Sequence, residues 1–448
     1  MNKEMRSAVD VAALIDRQDV GPFQARIVAV CFAILIFDGF DAQVIGFVAP
    51  ALLGALKLER GMLAPIFTAG LVGYGFGSII FGSLADRFGR KTMLVTSTIV
   101  FGVFTLLKAT ATSLPELAFW QFVAGLGIAG ATPNAVALIS EYLPTRLRAT
   151  LTTIALSGFL IGSTIGGLIS AFLIPAYGWQ SVFYVGGIAP LLMIPILLLG
   201  VPESVRFLLL RGASQVRIGA ILRRVVPNFE LGKDTTFVIP ERSKGFPIVE
   251  LFRGGRATTT VLLWVTMFMT LLVTYFLLSW LPVLINSAGL SVQQSVLAST
   301  MFPAGGVVGA LLWGRMIDRY WPPAVLATAY ALFALFTAAI GPSSASFAAL
   351  VVVLCGTGIG AGAQMATNAF GGVIYPTPMK ATGVGWMPGI GRTGSMIGPL
   401  LGGAMLALHW SVSEILLATA IPASIAALCV YLIGRMPKSA AVVAAARN

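Results

Sequence analysis

Charge is scarce in this chain, and histidine and cysteine are scarcer still. Only 10% of the 448 residues are Asp, Glu, Lys or Arg, against about 25% in soluble domains, which excludes an ordinary water-soluble globule. One histidine and three cysteines supply no metal-ligand set and no even disulfide framework, and Cys31, Cys355 and Cys429 all fall in apolar runs. His409 stands beside Trp410 at the end of a late apolar run, where a structural role at a membrane interface is expected. No nucleophile, base and orienting group share one depth, so a membrane enzyme is not expected. The first 26 residues, with Asp10, Asp16 and Asp19, have no apolar core and are expected to form a cytosolic arm, not a cleaved signal peptide.

What the chain has is hydrocarbon. Hydrophobic residues make up 57% of it, mean hydropathy is +0.91, and fifty glycines fit close helix packing in lipid. Apolar stretches of about 20 residues, enough to cross a bilayer as helix, recur at 27–52, 64–84, 93–112, 116–140, 150–174 and 181–201. After a polar interval they resume at 258–286, 295–317, 323–341, 346–370, 381–408 and 412–434. This divides the chain into an arm (1–26), six spans (27–201), a basic central loop (202–257), six more spans (258–434) and a tail (435–448). The loop is expected to be a solvated linker with amphipathic pieces. The net charge of +12 raises the question of nucleic acid, but placement answers it. Lys57, Arg60 and Lys108 are assigned to outer loops and Arg392 to a span, while the other 25 of the 29 basic residues fall in the arm, alternate loops and the tail. That positive-inside pattern puts both termini in the cytoplasm.

The two halves repeat in one register of 232 residues. GSLADR (82–87) matches GRMIDR (314–319), LPTRLRAT (143–150) matches YPTPMKAT (375–382), and Gly162 and Gly166 match Gly394 and Gly398. Parallel six-helix repeats imply two bundles about an axis along the membrane normal, with the binding site between them at mid-depth. The expected fold is therefore an all-α membrane protein, twelve transmembrane helices in two pseudo-symmetric six-helix bundles.

The stretch GSLADRFGRK (82–91) resembles the loop signature between helices 2 and 3 of the major facilitator superfamily. The resemblance implies that Asp86 meets the start of the eleventh span near 381–382, and by the repeat Asp318, beside Arg319, should meet the start of the fifth near 149–150. Arg87, Arg90 and Lys91 hold the loop on the cytosolic side, and Glu141 is placed to join Arg87 or Arg90. DGFD (38–41) with IGFVAP (45–50) is similar to the first-helix signature of the aromatic acid:proton symporter family. GLGIAGATPN (125–134) and the eleventh-span run GVGW (383–386), GRTG (391–394) also match. One departure is Gln121, where members of that family carry an arginine; this raises the weight on Arg392.

Asp38 and Asp41 interrupt an otherwise uncharged run, 27–56. Asp38 lies eleven residues in, roughly 17 Å at helical rise, and Asp41 shares its face. Intramembrane acids cost at least ~2.5 kcal/mol each and are usually functional, and like charges this close disfavour double ionisation. Both are candidates for proton coupling. Arg392, deep in the eleventh span, offers a planar fork for a substrate carboxylate or a structural pair with one of those acids. Gln364 and Asn368, one helical turn apart, are candidates to bond a ring hydroxyl; Tyr275, Phe276 and Trp386 are candidates to stack on the ring. The glycine rows 158, 162, 166 and 394, 398, 402 read as packing faces. The fifth span lacks the Gly-Pro pair of antiporters, since Gly167 follows Gly166.

The resemblance implies a bacterial inner-membrane symporter that imports a small aromatic carboxylate with protons by alternating access. It would need no cofactor beyond the proton gradient, and its partners would be the acid, protons and the bilayer. Uptake of another organic anion, drug efflux, and an aromatic-acid sensor of transporter shape are the alternatives.

Overall fold

A computed structural model describes residues 8–226, 236–238, 248–376 and 379–436. Lys233, Arg242 and Lys244 of the basic loop, Thr377 and Pro378 of the second-half loop, and the tail from 437 lie outside the described residues, as does the side chain of Ala381. The apolar runs all become helix, the form in which a lipid-embedded backbone satisfies its own N–H and C=O groups. In chain order they are α1 (Pro22–Leu56), α2 (Ala64–Phe88), α3 (Arg90–Lys108), α4 (Leu114–Tyr142), α5 (Thr145–Tyr177) and α6 (Gln180–Leu192, then Ile194–Gly200). The second half has α7 (Ala257–Ser287), α8 (Val292–Arg319), α9 (Pro322–Ser343), α10 (Phe347–Ala361, then Ala363–Ile374), α11 (Lys380–Ala407) and α12 (Val412–Arg435). Eleven of these are both long and apolar enough to cross a membrane. The remaining one, α11, has 28 residues; its glycines and Arg392 dilute its hydropathy. Boundaries are set by local chemistry. Ser291 with Gln294 and Ser411 with Glu414 form capping boxes at the starts of α8 and α12, and His409, in the left-handed region at φ 57°, makes the turn between α11 and α12.

By contacts the chain forms two compact units. The first comprises Met1–Gly39, Val72–Gly162 and Phe183–Ser243; the second comprises Phe40–Leu71, Ser163–Val182 and Lys244–Asn448. The division passes through α1, α2, α5 and the first turn of α6.

In the first unit α5 lies backbone to backbone on α1. A Cβ on Gly162 would sit 1.9 Å from the Ile36 carbonyl oxygen, and one on Gly39 only 1.8 Å from that of Phe159. In the second unit α11 lies on α7 the same way: a Cβ on Gly394 would come within 2.3 Å of Phe268 O, and one on Gly398 within 2.5 Å of Leu272 O. Ile36 and Phe268, like Gly162 and Gly394, are 232 residues apart, so the register read in the sequence is a register of contacts. The glycine rows are packing faces, as expected. Phe276 serves the same purpose: it is 1% exposed and lies under Gly402, so it is not a cavity residue.

Within the second unit α7, α8 and α11 close tightly around the C-terminal parts of α1 and α5 and the start of α2. Gly46 faces the Leu278 carbonyl of α7, Gly167 faces Thr300 of α8, and Gly403 of α11 faces Ala64 of α2. Phe67 meets the edge of Trp280 at 5.0 Å, and the indole N–H of Trp280 donates to Pro399 O at 2.9 Å.

The arm is more structured than expected. Residues 8–10 pair in parallel with 236–238 of the central loop, and the arm helix Val11–Asp16 buries Val11 and Ile15. These join Leu208, Ile218, Leu222 and Val225 of the linker helices Val205–Leu210 and Gln215–Val225 in one core with Ile27, Leu138 and Tyr142. The amphipathic pieces thus supply core, and much of the loop is not a solvated tether. Lys108 is a second correction. Assigned to an outer loop, it is the last residue of α3 and fully buried; its ammonium donates to Gln121 Oε1 at 3.0 Å and lies 5.2 Å over the Phe183 ring.

The α1–α5 contact is testable by adding one methyl group. Gly39→Ala should destabilise by about 1–3 kcal/mol or more through overpacking, because the opposing atom is a backbone carbonyl. Gly54→Ala, which meets nothing within 4 Å, should be neutral or stabilising by up to ~1 kcal/mol. Thermal unfolding of the purified variants measures both, and equal effects would contradict the packing.

Candidate functional site

In the first unit the site is built on α1 and α4. The glycine contacts of α5 press on α1 at residues 32–39, fixing the height and rotation of Asp38. That carboxyl is 1% exposed and accepts a hydrogen bond from Thr132 Oγ1 at 2.5 Å. Thr132 sits inside the GATPN stretch of α4, one residue before Pro133, and was not singled out in the sequence. Asp41, three residues further along α1 and already in the second unit, is fully buried. The Asp38–Thr132 bond is short, and both carboxyl groups are sequestered from solvent.

In the second unit Arg392 of α11 is half-buried and donates from Nη1 to the Tyr275 hydroxyl of α7 at 3.3 Å. The glycine row of α11 that packs on α7 brings the two together. Gln364 and Asn368 lie on the second segment of α10, just past the break at Gly362, where α10 crosses α8 within backbone contact of Gly309 and Ala310. The Asn368 amide oxygen is buried and has no hydrogen-bond donor among the described residues. A buried acceptor left open costs about 1–3 kcal/mol, so a donor from a ligand would be rewarded there. Trp386 is elsewhere: it is 45% exposed and stacks on Trp264 at 6.2 Å, near the first turns of α7 and α11. The repeat register adds a correspondence. Thr132 and Gln364 are 232 apart, as are Asp38 and Thr270, and Leu160 and Arg392. The acids belong to one half and the arginine to the other.

The gating residues are distributed as follows. Arg90 pairs with Glu141, both largely buried, which decides between Arg87 and Arg90. Lys91 donates from Nζ to Leu198 O at 2.6 Å and from its backbone N to Glu203 Oε1 at 3.0 Å. Arg87 accepts on its carbonyl from Arg211. Asp86 and Asp318 stand exposed at the ends of α2 and α8 beside Arg87 and Arg319. Their expected partners belong to the opposite units, so those contacts remain proposals. Sequence reasoning missed Glu203. Gly89, at φ 98°, precedes α3 without a side chain to cap it, and the Glu203 carboxylate fills that place. The absent cap is the signal that could have found it.

The start of α5 is held by the arm. Thr145 N–H donates to Asp16 Oδ1 at 2.5 Å and Arg146 pairs with Asp19. The Thr145 backbone bond is the main reason the Asp16 carboxyl titrates below its ordinary value of 3.8.

The model of the Major Facilitator Superfamily matches residues 31–298 and 263–447. The chain belongs to that superfamily. Over 95% of this chain and 96% of the relative, it is 39% identical to the 4-hydroxybenzoate transporter of Pseudomonas aeruginosa. It is 40% identical to the gallate transporter of Pseudomonas putida over 94% of each, and 30% identical to the benzoate transport protein of Acinetobacter baylyi over 96% and 93%. These are the relatives expected of the aromatic acid:proton symporter family, and the chain is a member of it. Among solved structures, a bacterial homologue of the lysosomal transporter Spinster, inward-facing and occupied, aligns with TM-score 0.73 at 18% identity, covering 93% and 98% of the two chains. A D-xylose–proton symporter aligns at 0.69 and 15%, with the same coverage. These two likenesses concern the fold, a multi-pass membrane bundle.

Two outcomes check the local geometry. Thr132→Val should slow initial uptake roughly tenfold, the worth of a hydrogen bond to a charged group, while Thr132→Ser retains most of it. Because its pKa is depressed, the Asp16 contribution is complete above the ordinary carboxylate range and is lost only as pH falls through the lowered value. Limited proteolysis of the arm should therefore be unchanged between pH 6 and 8, and Asp16→Asn should accelerate it at both.

Proposed function

We propose that the protein is a proton-coupled symporter that imports a small hydroxylated aromatic carboxylate across a bacterial inner membrane by alternating access, with both termini in the cytoplasm. The observation that carries the reading is the partition of polar groups. A buried acid pair lies in the first half, and an arginine–tyrosine pair with an open amide acceptor lies in the second, within a chain whose relatives are named for 4-hydroxybenzoate, gallate and benzoate.

The chemistry assigns each group a task. The Arg392 fork takes the substrate carboxylate with two parallel N–H donors, and Tyr275, already hydrogen-bonded to it, holds the guanidinium in place. Asn368, with Gln364 one turn away, accepts from the ring hydroxyl. Asp38 and Asp41 take up the proton that removes a charge resisting reorientation. Trp386 in its stack with Trp264 would line the route to the site, not the ring pocket. Asp86, Arg87, Arg90, Lys91, Glu141, Asp318 and Arg319 would hold the cytosolic gate, the Arg90–Glu141 pair acting within the first half. The proton gradient is the energy source; no cofactor, nucleic acid or covalent chemistry enters, and the protein is not an enzyme.

Transport in proteoliposomes tests the assignment. Asp41→Asn should abolish accumulation against a gradient while substrate exchange survives. Arg392→Lys should weaken carboxylate affinity about tenfold, the difference of roughly 1.4 kcal/mol between bidentate and single-point recognition. Asn368→Leu should reduce the preference for 4-hydroxybenzoate over benzoate. Tight binding without flux would indicate a sensor instead, and accumulation indifferent to collapse of the proton gradient would remove the coupling.

A further inference from the structure

At the start of α1 an open cleft of about 680 Å³ is lined by Pro22, Phe23, Arg26, Leu199 and Arg224. Three elements of the first unit meet there: the first turn of α1, the last turn of α6 and the linker helix Gln215–Val225. The guanidinium of Arg26 lies 5.4 Å from the Phe23 ring centre and that of Arg224 lies 6.0 Å from the same ring. Holding two like charges on one ring is unfavourable, and a cation–π contact at an exposed site returns only about 0.5–1 kcal/mol. Both arginines are exposed, and neither pairs with a carboxylate among the described residues. Lys91, close enough to the cleft to interact with Arg224, is anchored to Leu198 O at 2.6 Å.

The other wall is apolar. Leu199 is 81% exposed, and Leu192 and Ile196 continue the same stripe up α6 at 69% and 49%. Spacings of three and four residues put all three on one helix face, the face that an embedded α6 turns to the lipid tails. A soluble anion would use the basic rim and leave the stripe unexplained. An amphiphile with an anionic head uses both. Basic pockets at the cytoplasmic ends of transmembrane helices suit such headgroups, and arginine matches phosphate with its planar fork.

We propose that this cleft binds the phosphate of an anionic phospholipid of the cytosolic leaflet, with Arg26 and Arg224 as paired donors and Leu199 against the first carbons of an acyl chain. The lipid would bridge α1 to the linker helix and so tie the arm-and-linker core to the bilayer surface. The choice of leaflet rests on the topology proposed above, whereas the site is independent of the transported substrate.

The test uses the full-length protein in neutral detergent, with no transport assay. Titrated phosphatidylglycerol should raise the unfolding temperature by several degrees, and phosphatidylcholine and inorganic phosphate should not. Arg26→Gln with Arg224→Gln should abolish that shift, while Arg319→Gln, which is not among the cleft's lining residues, should keep it. A photoreactive side chain placed at Leu199 in otherwise unaltered protein should crosslink to phosphatidylglycerol in mixed bilayers in preference to phosphatidylcholine, which keeps the test valid if the double variant does not fold. Equal stabilisation by inorganic phosphate would make this a soluble-anion site and overturn the lipid assignment. An unchanged shift in the double variant, or crosslinking without headgroup preference, would overturn the site itself.

Discussion

Backbone resting on backbone is the constraint from which the rest of this structure follows. Where α5 meets α1 and α11 meets α7, glycine carries no side chain and the opposing atoms are carbonyl oxygens that a Cβ would strike. In lipid there is little hydrophobic drive between helices, so such close contact supplies the van der Waals attraction that holds them. It also fixes rotation. α1 cannot turn without moving Gly39 off Phe159, and that angle is what keeps Asp38 against Thr132 and away from the tails. The same contact on α11 presents Arg392 to Tyr275.

The two halves share this scaffold and diverge in chemistry. At equivalent positions of the repeat, Asp38 is replaced by Thr270 and Leu160 by Arg392, while Thr132 becomes Gln364. Duplicated packing with unduplicated polarity puts the intramembrane acids Asp38 and Asp41 in the first half and Arg392 in the second. Under the function proposed above, opposite charges in the two halves would let proton occupancy in one bias affinity in the other. The repeat thus preserves what packing needs and varies what recognition needs.

Much of this was legible because hydrocarbon imposes simple rules. Twelve runs of apolar residues can only be helices, and their ends in the structure lie within a few residues of those read from composition. The repeat register, the glycine faces and the pairing of Glu141 with a base of the 82–91 loop were likewise readable. Lys108 was not, because a lysine at the end of an apolar run looks interfacial by hydropathy; only tertiary contact with Gln121 and Phe183 buries it. Thr132 and Glu203 were missed for a related reason. A threonine in a helix and a lone acid in a basic loop carry no local signal, and each acquires its role from a partner 94 or 112 positions away. The arm was under-read although Val11 and Ile15, four apart on a short helix, are spaced as a buried face.

The parallel pairing of residues 8–10 with 236–238 has a consequence for biosynthesis. The arm leaves the ribosome before the strand it needs, which follows six membrane insertions and more than two hundred further residues. At about 5–20 residues per second, it waits some tens of seconds. Strand closure is then a late event that occurs only once the first six helices have been threaded, and it marks the completed half.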